Sequence, residues 1–368
     1  MLRMIITMAP FGEKEGSLLL PLIIMNEITK KWVKYYKRIG IKDEFIEEYI
    51  PYIDTLSQKN MPIIFDLRHL SGLVSRKVAY LASVINATQH HYRSFKIIKR
   101  RGGYREISAP YPALLECQQW INEYILRKIP LHPSSHGFTN SKSIISNAKT
   151  HLNQQCLLKL DLKDFFSSIS KAQVIRVFKN IGYNNPVSYY LASICCLKNC
   201  LPQGAATSPS LSNIVSFGLD VRLKGLASSY GLNYSRYADD MTFSGKHIPI
   251  KLIDVINEIV EEQGFLLNDE KTSLVKGKRR KIVTGISVAS EKPKLPRGYK
   301  RKLKQEVYYI KKHGISSHIE HGKLKEPFYL DIILGRLSFW KFVEPDSEEA
   351  EEHIKYFKNL IADQSYDY

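Results

Sequence analysis

Apolar and aromatic positions recur at helical spacing through most of the first 92 residues. They predict one helix over Glu27–Ile39 and a second that Asp43 is placed to cap and that runs to Tyr52. The stretch Asp66–Asn86 predicts two short helices separated near Gly72, because glycine is a poor residue for a helix interior. The beginning of the chain is therefore predicted to be helical.

The hydrophobic period changes after residue 92. Phe95–Ile98 and Tyr104–Ile107 alternate like two strands around Arg101-Gly102-Gly103, which predicts a basic β-hairpin. Helical spacing returns over Ala113–Lys128. Two further helices are predicted nearer the C-terminus, over Arg297–His313 and Asp331–Phe342.

A buried strand with an acid in it is predicted within Cys156–Ser168. Its leucines suit a strand covered on both faces, and Asp161 lies among them. A buried carboxylate is costly unless it is paired or binds a metal ion. Asp164 can cap the helix that is predicted to begin there, so capping does not account for Asp161.

A strand, a tight turn at Ala238-Asp239 and a second strand are predicted over Tyr234–Ser244. The adjacent carboxylates of Asp239 and Asp240 repel each other and need a counter-ion, and hard oxygen ligands suit Mg²⁺ or Mn²⁺. A single acidic turn is common on protein surfaces. Together with Asp161, however, this turn could hold two ions about 4 Å apart, an arrangement that serves phosphoryl transfer.

Charge supports a polyanionic partner. The 368 residues contain 54 Lys and Arg against 36 Asp and Glu, a net charge of +18. The segment Lys276–Lys304 has twelve basic residues and one acid, Glu291, and so supplies +11 of that charge. Nucleic acid is the first partner that this excess indicates and a membrane surface the second, with a merely solvated basic face as the alternative.

Composition excludes several other classes of protein. Hydrophobic residues make up 44% of the chain, enough for a core, which excludes a mostly disordered or collagen-like protein. No run of 18 uncharged apolar residues predicts a membrane span. The apolar run Leu18–Met25 follows acidic residues, so a secretory signal is not expected. Five cysteines without a CxxC pair indicate a reducing cytoplasm.

Several ordered motifs resemble those of the reverse transcriptases. They are Lys99–Ile107 (KRRGGYREI), His136–Phe138 (HGF), Leu160–Ile169 (LDLKDFFSSI), Leu201–Asn213 (LPQGAATSPSLSN), Tyr237–Asp240 (YADD) and Gly264–Thr272 (GFLLNDEKT). Two more resemble signatures of the bacterial retron group: Asn147–His151 (NAKTH, pattern NAxxH) and Val283–Gly285 (VTG). Their joint order along the chain is more specific than any one of them.

The resemblance implies an α+β fold, the right-hand polymerase with fingers, a palm built on an antiparallel sheet, and a helical thumb. Three regions are expected: an N-terminal helical region leading into the fingers at 1–92, fingers and palm at 93–285, and an RNA-binding thumb at 286–368.

The resemblance also implies roles for individual residues. Asp161, Asp239 and Asp240 match the catalytic triad that holds two Mg²⁺ ions, for which Mn²⁺ can substitute, and the backbone carbonyl of Leu162 completes a metal shell. The residues expected to bind the dNTP are Lys99 (or Arg100 or Arg101), Arg105, Phe166, Gln203 and Lys271. Those expected to bind RNA are Asn147, His151, Lys278, Arg279, Arg280, Lys281, Val283, Thr284, Gly285, Arg297 and Tyr299.

Two of these roles have alternatives. Phe166 matches an aromatic gate that rejects a ribose 2′-OH, and its alternative is core packing, which neighbouring Phe165 can supply. Lys271 is expected either to protonate the leaving pyrophosphate or simply to contact a phosphate.

A retron enzyme copies part of its own structured non-coding RNA into branched, RNA-linked single-stranded DNA (msDNA). It primes from the 2′-OH of a guanosine and acts in defence against bacteriophage with a separate effector protein. The resemblance implies these partners for this chain, with no membrane. The alternatives are a diversity-generating or group II intron reverse transcriptase, or a nucleic-acid-binding scaffold of a defence complex.

Overall fold

The computed structural model describes residues 26–99, 102–277, 279–322 and 326–364, so Leu18–Met25, Arg100, Arg101 and Lys278 lie outside the described residues. The α-helices are α1 (Glu27–Arg38), α2 (Asp43–Gln58), α3 (Leu67–Leu73), α4 (Val78–Asn86), α5 (Pro112–Tyr124), α6 (Ile144–Lys149), α7 (Lys171–Ile181), α8 (Asn185–Cys195), α9 (Ser208–Val215), α10 (Phe217–Ser229), α11 (Leu252–Glu262), α12 (Arg297–Gly322), α13 (Tyr329–Val343) and α14 (Glu348–Gln364). The strands are β1 (Tyr92–Ile98), β2 (Tyr104–Pro110), β3 (Cys156–Asp161), β4 (Asn233–Tyr237), β5 (Asp240–Gly245), β6 (Ser273–Lys276), β7 (Ile282–Val283) and β8 (Ile286–Ser287).

The chain forms two compact units and passes between them more than once. The first contains residues 1–132, 163–218 and 263–265, and the second contains 133–162, 219–262 and 266–368. The expected boundaries near residues 92 and 285 remain predictions. Within the described residues, no helix combines the length and the apolar character that crossing a membrane requires.

The helical start of the first unit is confirmed, with changes at the helix ends. Asn26 caps α1, since its side chain accepts a hydrogen bond from the backbone of Thr29 at 2.9 Å. The predicted cap at Asp43 is wrong, because that residue already lies in the first turn of α2, where its charge suits the helix dipole. α2 also continues past Tyr52. The break between α3 and α4 follows Leu73.

The predicted hairpin is confirmed as the antiparallel pair β1 and β2, from Tyr92 opposite Pro110 to Ile98 opposite Tyr104. The helix predicted to begin at Asp164 does not form, and turns take its place. Asp164 has a positive φ of 47°, a conformation that does not continue a right-handed helix. α7 begins only at Lys171, after a cap by Ser170.

A four-stranded antiparallel sheet in the order β4-β5-β3-β6 forms the centre of the second unit. β3 lies inside the sheet and is buried almost throughout, as its leucines predicted. An apolar core joins α12, α13 and α14 to the short hairpin of β7 and β8 and to α6. Helices and antiparallel strands thus confirm the α+β class.

The two predicted C-terminal helices are both present and longer than expected. α12 runs on to Gly322, and Gly314 interrupts it with a φ of 77° that a glycine adopts without steric cost. α13 spans Tyr329–Val343 and buries Ile333, Leu337 and Trp340 in the core.

Candidate active site

Three aspartates meet at one end of the central sheet. Asp161 is the last residue of β3, and the antiparallel register places it directly opposite Asp240, the first residue of β5. The backbone N–H of Leu162 donates to the carbonyl of Asp239 at 3.0 Å, which ties the β4–β5 turn to the end of β3. Only 5% of Asp161 is exposed. The structure therefore brings together the three carboxylates that the sequence singled out.

A lysine holds the innermost carboxylate. Lys271 Nζ lies 2.8 and 2.9 Å from the two carboxylate oxygens of Asp161. The Asn268 side-chain amide donates to Asp161 Oδ1 at 3.4 Å, and the Asn268 backbone N–H donates to the backbone carbonyl of Asp161 at 2.8 Å. The hydrogen bond to Asp161 raises the pKa of Lys271, so this side chain is a firm cation. It compensates the buried charge of Asp161.

Asp240 lacks comparable compensation. Its pKa is raised from 3.8 to about 6, mainly by burial and then by the negative charge of Asp239, with Asp161 adding a smaller effect in the same direction. Two carboxylates forced into one site raise each other's pKa because their charges repel. The turn is thus an anionic, partly desolvated position that a cation would stabilise.

The donor set fits divalent ions. Carboxylate oxygens are the hard ligands that Mg²⁺ and Mn²⁺ prefer, and a buried cation beside Asp161 is already required electrostatically. In the described residues, no three Asp, Glu, His or Cys side chains are arranged as a complete metal site. The Asp161 carboxylate is engaged by Lys271 instead.

Sequence reasoning missed two residues behind the turn. Arg236 and Asp220 are both fully buried, and Arg236 Nη2 lies 2.6 Å from Asp220 Oδ2. Asp220 interrupts the apolar positions of α10, and Arg236 interrupts those of β4. A pair of opposite charges at core positions was the signal that could have shown them.

The NAxxH residues lie in the interior. Asn147 and His151 are 1% and 0% exposed. His151 hydrogen-bonds to the hydroxyls of Ser235 and Ser244, each at 2.7 Å, and Ser235 donates to the Asn147 amide oxygen at 2.6 Å. Both side chains therefore attach α6 to β4 and β5. The expectation that they touch RNA is revised, because they present no surface to it.

The VTG residues meet the same helix. Val283 is 1% exposed and lies in the apolar core with Ala148 of α6. Thr284 has a φ of 44° and donates from its hydroxyl to the carbonyl of Ile144 at 3.1 Å. Gly285 follows with a φ of 84° and makes the turn into β8. The VTG residues thus pack against α6, the helix that carries the start of the NAxxH motif. Val283 is buried in this contact rather than exposed to a partner.

Some basic residues of the segment Lys276–Lys304 are buried or form ion pairs within the chain, whereas others are exposed. Lys281 is 5% exposed and donates to the carbonyl of Gly277, and Tyr299 packs against Phe339 beneath Arg336. Ion pairs join Lys292 to Asp346, Lys300 to Glu344 and Lys304 to Glu349. Among the described residues, the basic residues of the segment that are exposed and outside these three ion pairs are Lys276, Arg279, Arg280, Lys294, Arg297, Arg301 and Lys302.

The expected nucleotide residues Lys99, Arg105, Phe166 and Gln203 belong to the first unit, whereas Lys271 belongs to the second. Lys99 and Arg105 are exposed on the β1–β2 hairpin.

Gln203 lies at the base of the same hairpin, since its backbone carbonyl accepts from Ser108 at 2.8 Å. Gly204 makes this approach possible, because a Cβ there would lie 2.6 Å from the Ser108 carbonyl.

The two phenylalanines differ in burial. Phe165 is 5% exposed and packs against Phe265, with ring centroids 5.7 Å apart. Phe166 is only partly buried. Its ring lies beside that of Phe165, with centroids 5.7 Å apart. Phe165 is therefore the more deeply buried of the two, and the gate role of Phe166 stays a prediction.

Comparison with known proteins shows the family to which the chain belongs. The family model described as reverse transcriptase (RNA-dependent DNA polymerase) matches residues 97–305. The chain is 33% identical over 315 residues to the retron Ec86 reverse transcriptase of Escherichia coli, which covers 84% of this chain and 94% of that protein. It is 34% identical over 286 residues to the retron Mx65 reverse transcriptase of Myxococcus xanthus, covering 70% of this chain and 63% of that one. The expected polymerase fold is confirmed with the family: this chain is an RNA-directed DNA polymerase and belongs to the bacterial retron reverse transcriptases.

Proposed function

We propose that this enzyme copies part of a cognate structured non-coding RNA into msDNA, starts from the 2′-OH of a guanosine in that RNA, and serves antiphage defence with a separate effector protein. The convergence of Asp161, Asp239 and Asp240 at one end of the sheet carries the polymerase chemistry. Similarity to retron enzymes over most of the chain supports the retron product. Five free cysteine thiols support a reducing cytoplasm as its location.

Asp161 and Asp239 are proposed to hold two Mg²⁺ ions, with Asp240 more peripheral and the Leu162 carbonyl as a further oxygen ligand. Bound there, the ions would activate the attacking hydroxyl and neutralise charge on the phosphates. A divalent ion bound at Asp161 would compete with Lys271 for that carboxylate. Lys271 would then contact a phosphate or give a proton to the leaving pyrophosphate.

The dNTP is proposed to bind through the first unit. Lys99 and Arg105 are exposed cations on one hairpin, and a guanidinium fork matches phosphate oxygens. Gln203 is anchored at the base of that hairpin and would lie beside the sugar. Phe166 would exclude a ribose 2′-OH, a role that its partial exposure permits.

RNA recognition is proposed to use the exposed basic residues from the end of β6 to the first turns of α12. Arg297, Arg301 and Lys302 are exposed there, and the neighbouring Tyr308 is 54% exposed and can stack on a base. The ion-paired lysines of the same segment are already compensated by acids of the chain. They are expected to contribute less to RNA affinity.

A matched pair of double variants tests this surface. Arg301→Ala with Lys302→Ala removes two exposed charges. Lys292→Ala with Lys311→Ala removes two charges that pair with Asp346 and Glu352. Both variants lose the same net charge. A difference in RNA affinity between them therefore depends on where the removed charges lie and not on how many are removed.

The retron product itself is tested by expression with the RNA-encoding region upstream of the gene. DNA that remains covalently linked to RNA after protein removal, and that is absent from an Asp239→Asn control, is the expected result. If the enzyme extends a preannealed primer but makes no RNA-linked product, it is a reverse transcriptase of the diversity-generating or intron type. If it binds RNA but synthesises DNA neither on that primer nor on the cognate RNA, it is a nucleic-acid-binding scaffold of a defence complex.

A further inference from the structure

The catalytic turn has a strained backbone. Ala238 sits between Tyr237 and Asp239 with a φ of 58°, in the left-handed region that residues with a Cβ seldom occupy. Such a residue keeps its conformation only when the surrounding structure enforces it. Because Asp239 and Asp240 follow directly, a change of φ at Ala238 would move both carboxylates.

Arg236 reaches this turn from inside the protein. Its Nη1 donates to the carbonyl of Ala238 at 3.0 Å. Its Nε and Nη2 form a fork on Asp220, at 2.8 and 2.6 Å, and Asp220 also accepts from the Tyr234 hydroxyl at 2.8 Å. The guanidinium is thus fixed at one end by a buried carboxylate and holds the strained peptide at the other.

The segment around Gly137 holds the same turn. The backbone N–H of Arg236 donates to Ser134 and that of His136 donates to Arg236, at 2.8 and 2.7 Å. A Cβ on Gly137 would lie 2.5 Å from the Ala238 nitrogen, so only glycine lets this segment lie against the turn. The peptide of Ala238 is therefore held both by a side chain and by backbone packing.

We propose that Arg236, anchored by Asp220, is a positioning residue that holds Ala238 in its left-handed conformation and so aims Asp239 and Asp240 at the metal ions. This inference rests on the proposed metal-binding role of those aspartates. Arg236 is fully buried and acts only through the turn. A lysine at this position keeps the charge but cannot fork on Asp220 and reach the Ala238 carbonyl together.

The test compares Arg236→Lys with Tyr234→Phe, which removes one hydrogen bond to Asp220 and leaves the contact with Ala238. We would measure the melting temperature, Mn²⁺ binding from the EPR signal of free Mn²⁺, and kcat and KM for dTTP on a poly(rA)–oligo(dT) primer. Small displacements of catalytic groups cost rate more than substrate affinity, so Arg236→Lys should lower kcat about tenfold or more with KM nearly unchanged. Mn²⁺ affinity should fall as well. Tyr234→Phe should leave kcat and Mn²⁺ affinity within about twofold even where its melting temperature drops.

A second substitution gives a rescue. Glycine adopts the left-handed conformation without cost, so Ala238→Gly in the Arg236→Lys background should recover much of the lost kcat. If Arg236→Lys does not fold, Asp220→Asn tests the same anchor with nearly unchanged side-chain volume.

The proposal fails if Arg236→Lys keeps the wild-type kcat and Mn²⁺ affinity, or if both variants lose activity only in proportion to their folded fraction. It also fails if Ala238→Gly restores nothing. An active Asp239→Asn enzyme would overturn the metal assignment itself. An inactive Asp239→Asn beside an unaffected Arg236→Lys would overturn only the positioning role.

Discussion

Replacing Asp240 with asparagine should stabilise the metal-free enzyme at neutral pH. The Asp240 carboxylate is partly buried next to Asp239 and near Asp161, and its pKa is raised from 3.8 to about 6. A difference of about 2 pH units corresponds to ~3 kcal/mol, at roughly 1.4 kcal/mol per unit. The amide has a desolvation cost of its own, so the expected gain in unfolding free energy is about 1–3 kcal/mol.

The pH dependence follows from the direction of the shift. Well below pH 3.8, Asp240 is protonated in the folded and the unfolded chain, and the pH-dependent difference between the variant and the wild type vanishes. As the pH rises towards 6, the unfolded chain ionises first while the folded site still holds its proton, so the wild type loses stability relative to the variant. Above about pH 6 to 7 the difference should be constant.

The assay is thermal unfolding in EDTA at several pH values between 4.5 and 8. At about 2–4 °C per kcal/mol, the variant should melt roughly 2–12 °C higher at pH 8. At pH 4.5 the increase should be only about a third as large, because the unfolded chain is already mostly ionised there while the folded site is not. Asp269→Asn is the control, since it removes an exposed carboxylate of the same unit and should shift neither value. Added Mg²⁺ should stabilise the wild type more than the variant, because a cation offsets the repulsion that asparagine lacks.

Two results would refute this reasoning. A melting temperature at pH 8 equal to or below that of the wild type would mean that the Asp240 charge is compensated by its surroundings. The positive charges of Lys159 and Lys271, which lower the pKa of Asp240, would then outweigh the effects of burial and of the Asp239 charge. An increase of the same size at pH 4.5 and pH 8 would mean that the gain comes from packing, since titration of Asp240 requires a clearly smaller increase at the lower pH.

The other predictions concern synthesis and RNA binding. Asp239→Asn should abolish DNA synthesis while nearly preserving the melting temperature, because the side-chain volume is kept and a metal-binding charge is lost; extension at the wild-type rate would refute the metal assignment. Phe166→Ala should raise the incorporation of rNTP relative to dNTP by about tenfold if the gate contributes ~1.4 kcal/mol of discrimination. An unchanged ratio would mean that the Phe166 ring only packs in the core. Arg301→Ala with Lys302→Ala should weaken RNA binding and flatten its log–log salt dependence by roughly one unit for each lost phosphate contact, while a preannealed primer is still extended. Equal loss on both substrates, or an equal effect of the ion-paired control double variant, would rule out a cognate-RNA surface at this position.

Local pattern was sufficient to find the catalytic strand and turn. Strand periodicity and a pair of adjacent acids depend only on neighbouring residues, so Asp161, Asp239 and Asp240 were recognisable from the sequence. The hairpin and the C-terminal helices followed for the same reason. The helix expected at Asp164 did not form, because its positive φ of 47° is incompatible with one and no local pattern showed it.

Long-range contacts decided the rest. A motif shows which residue types recur but not which surface covers them, and so only the fold showed that His151 and Val283 face the interior. The sequence likewise could not show which lysines of the basic segment are paired. The acids that compensate Lys300 and Lys304 lie more than 40 residues away, at Glu344 and Glu349.

Arg236 and Asp220 are the clearest case. They lie 16 residues apart on a strand and a helix, and although each interrupts the apolar positions of its own element, no local pattern shows that the two meet. Burying both at 0% exposure is tolerable only because the fold brings them within hydrogen-bonding distance. The sequence determined which carboxylates can carry the chemistry, whereas tertiary packing alone decided what holds them in place, since burial and pairing arise between elements distant in the chain.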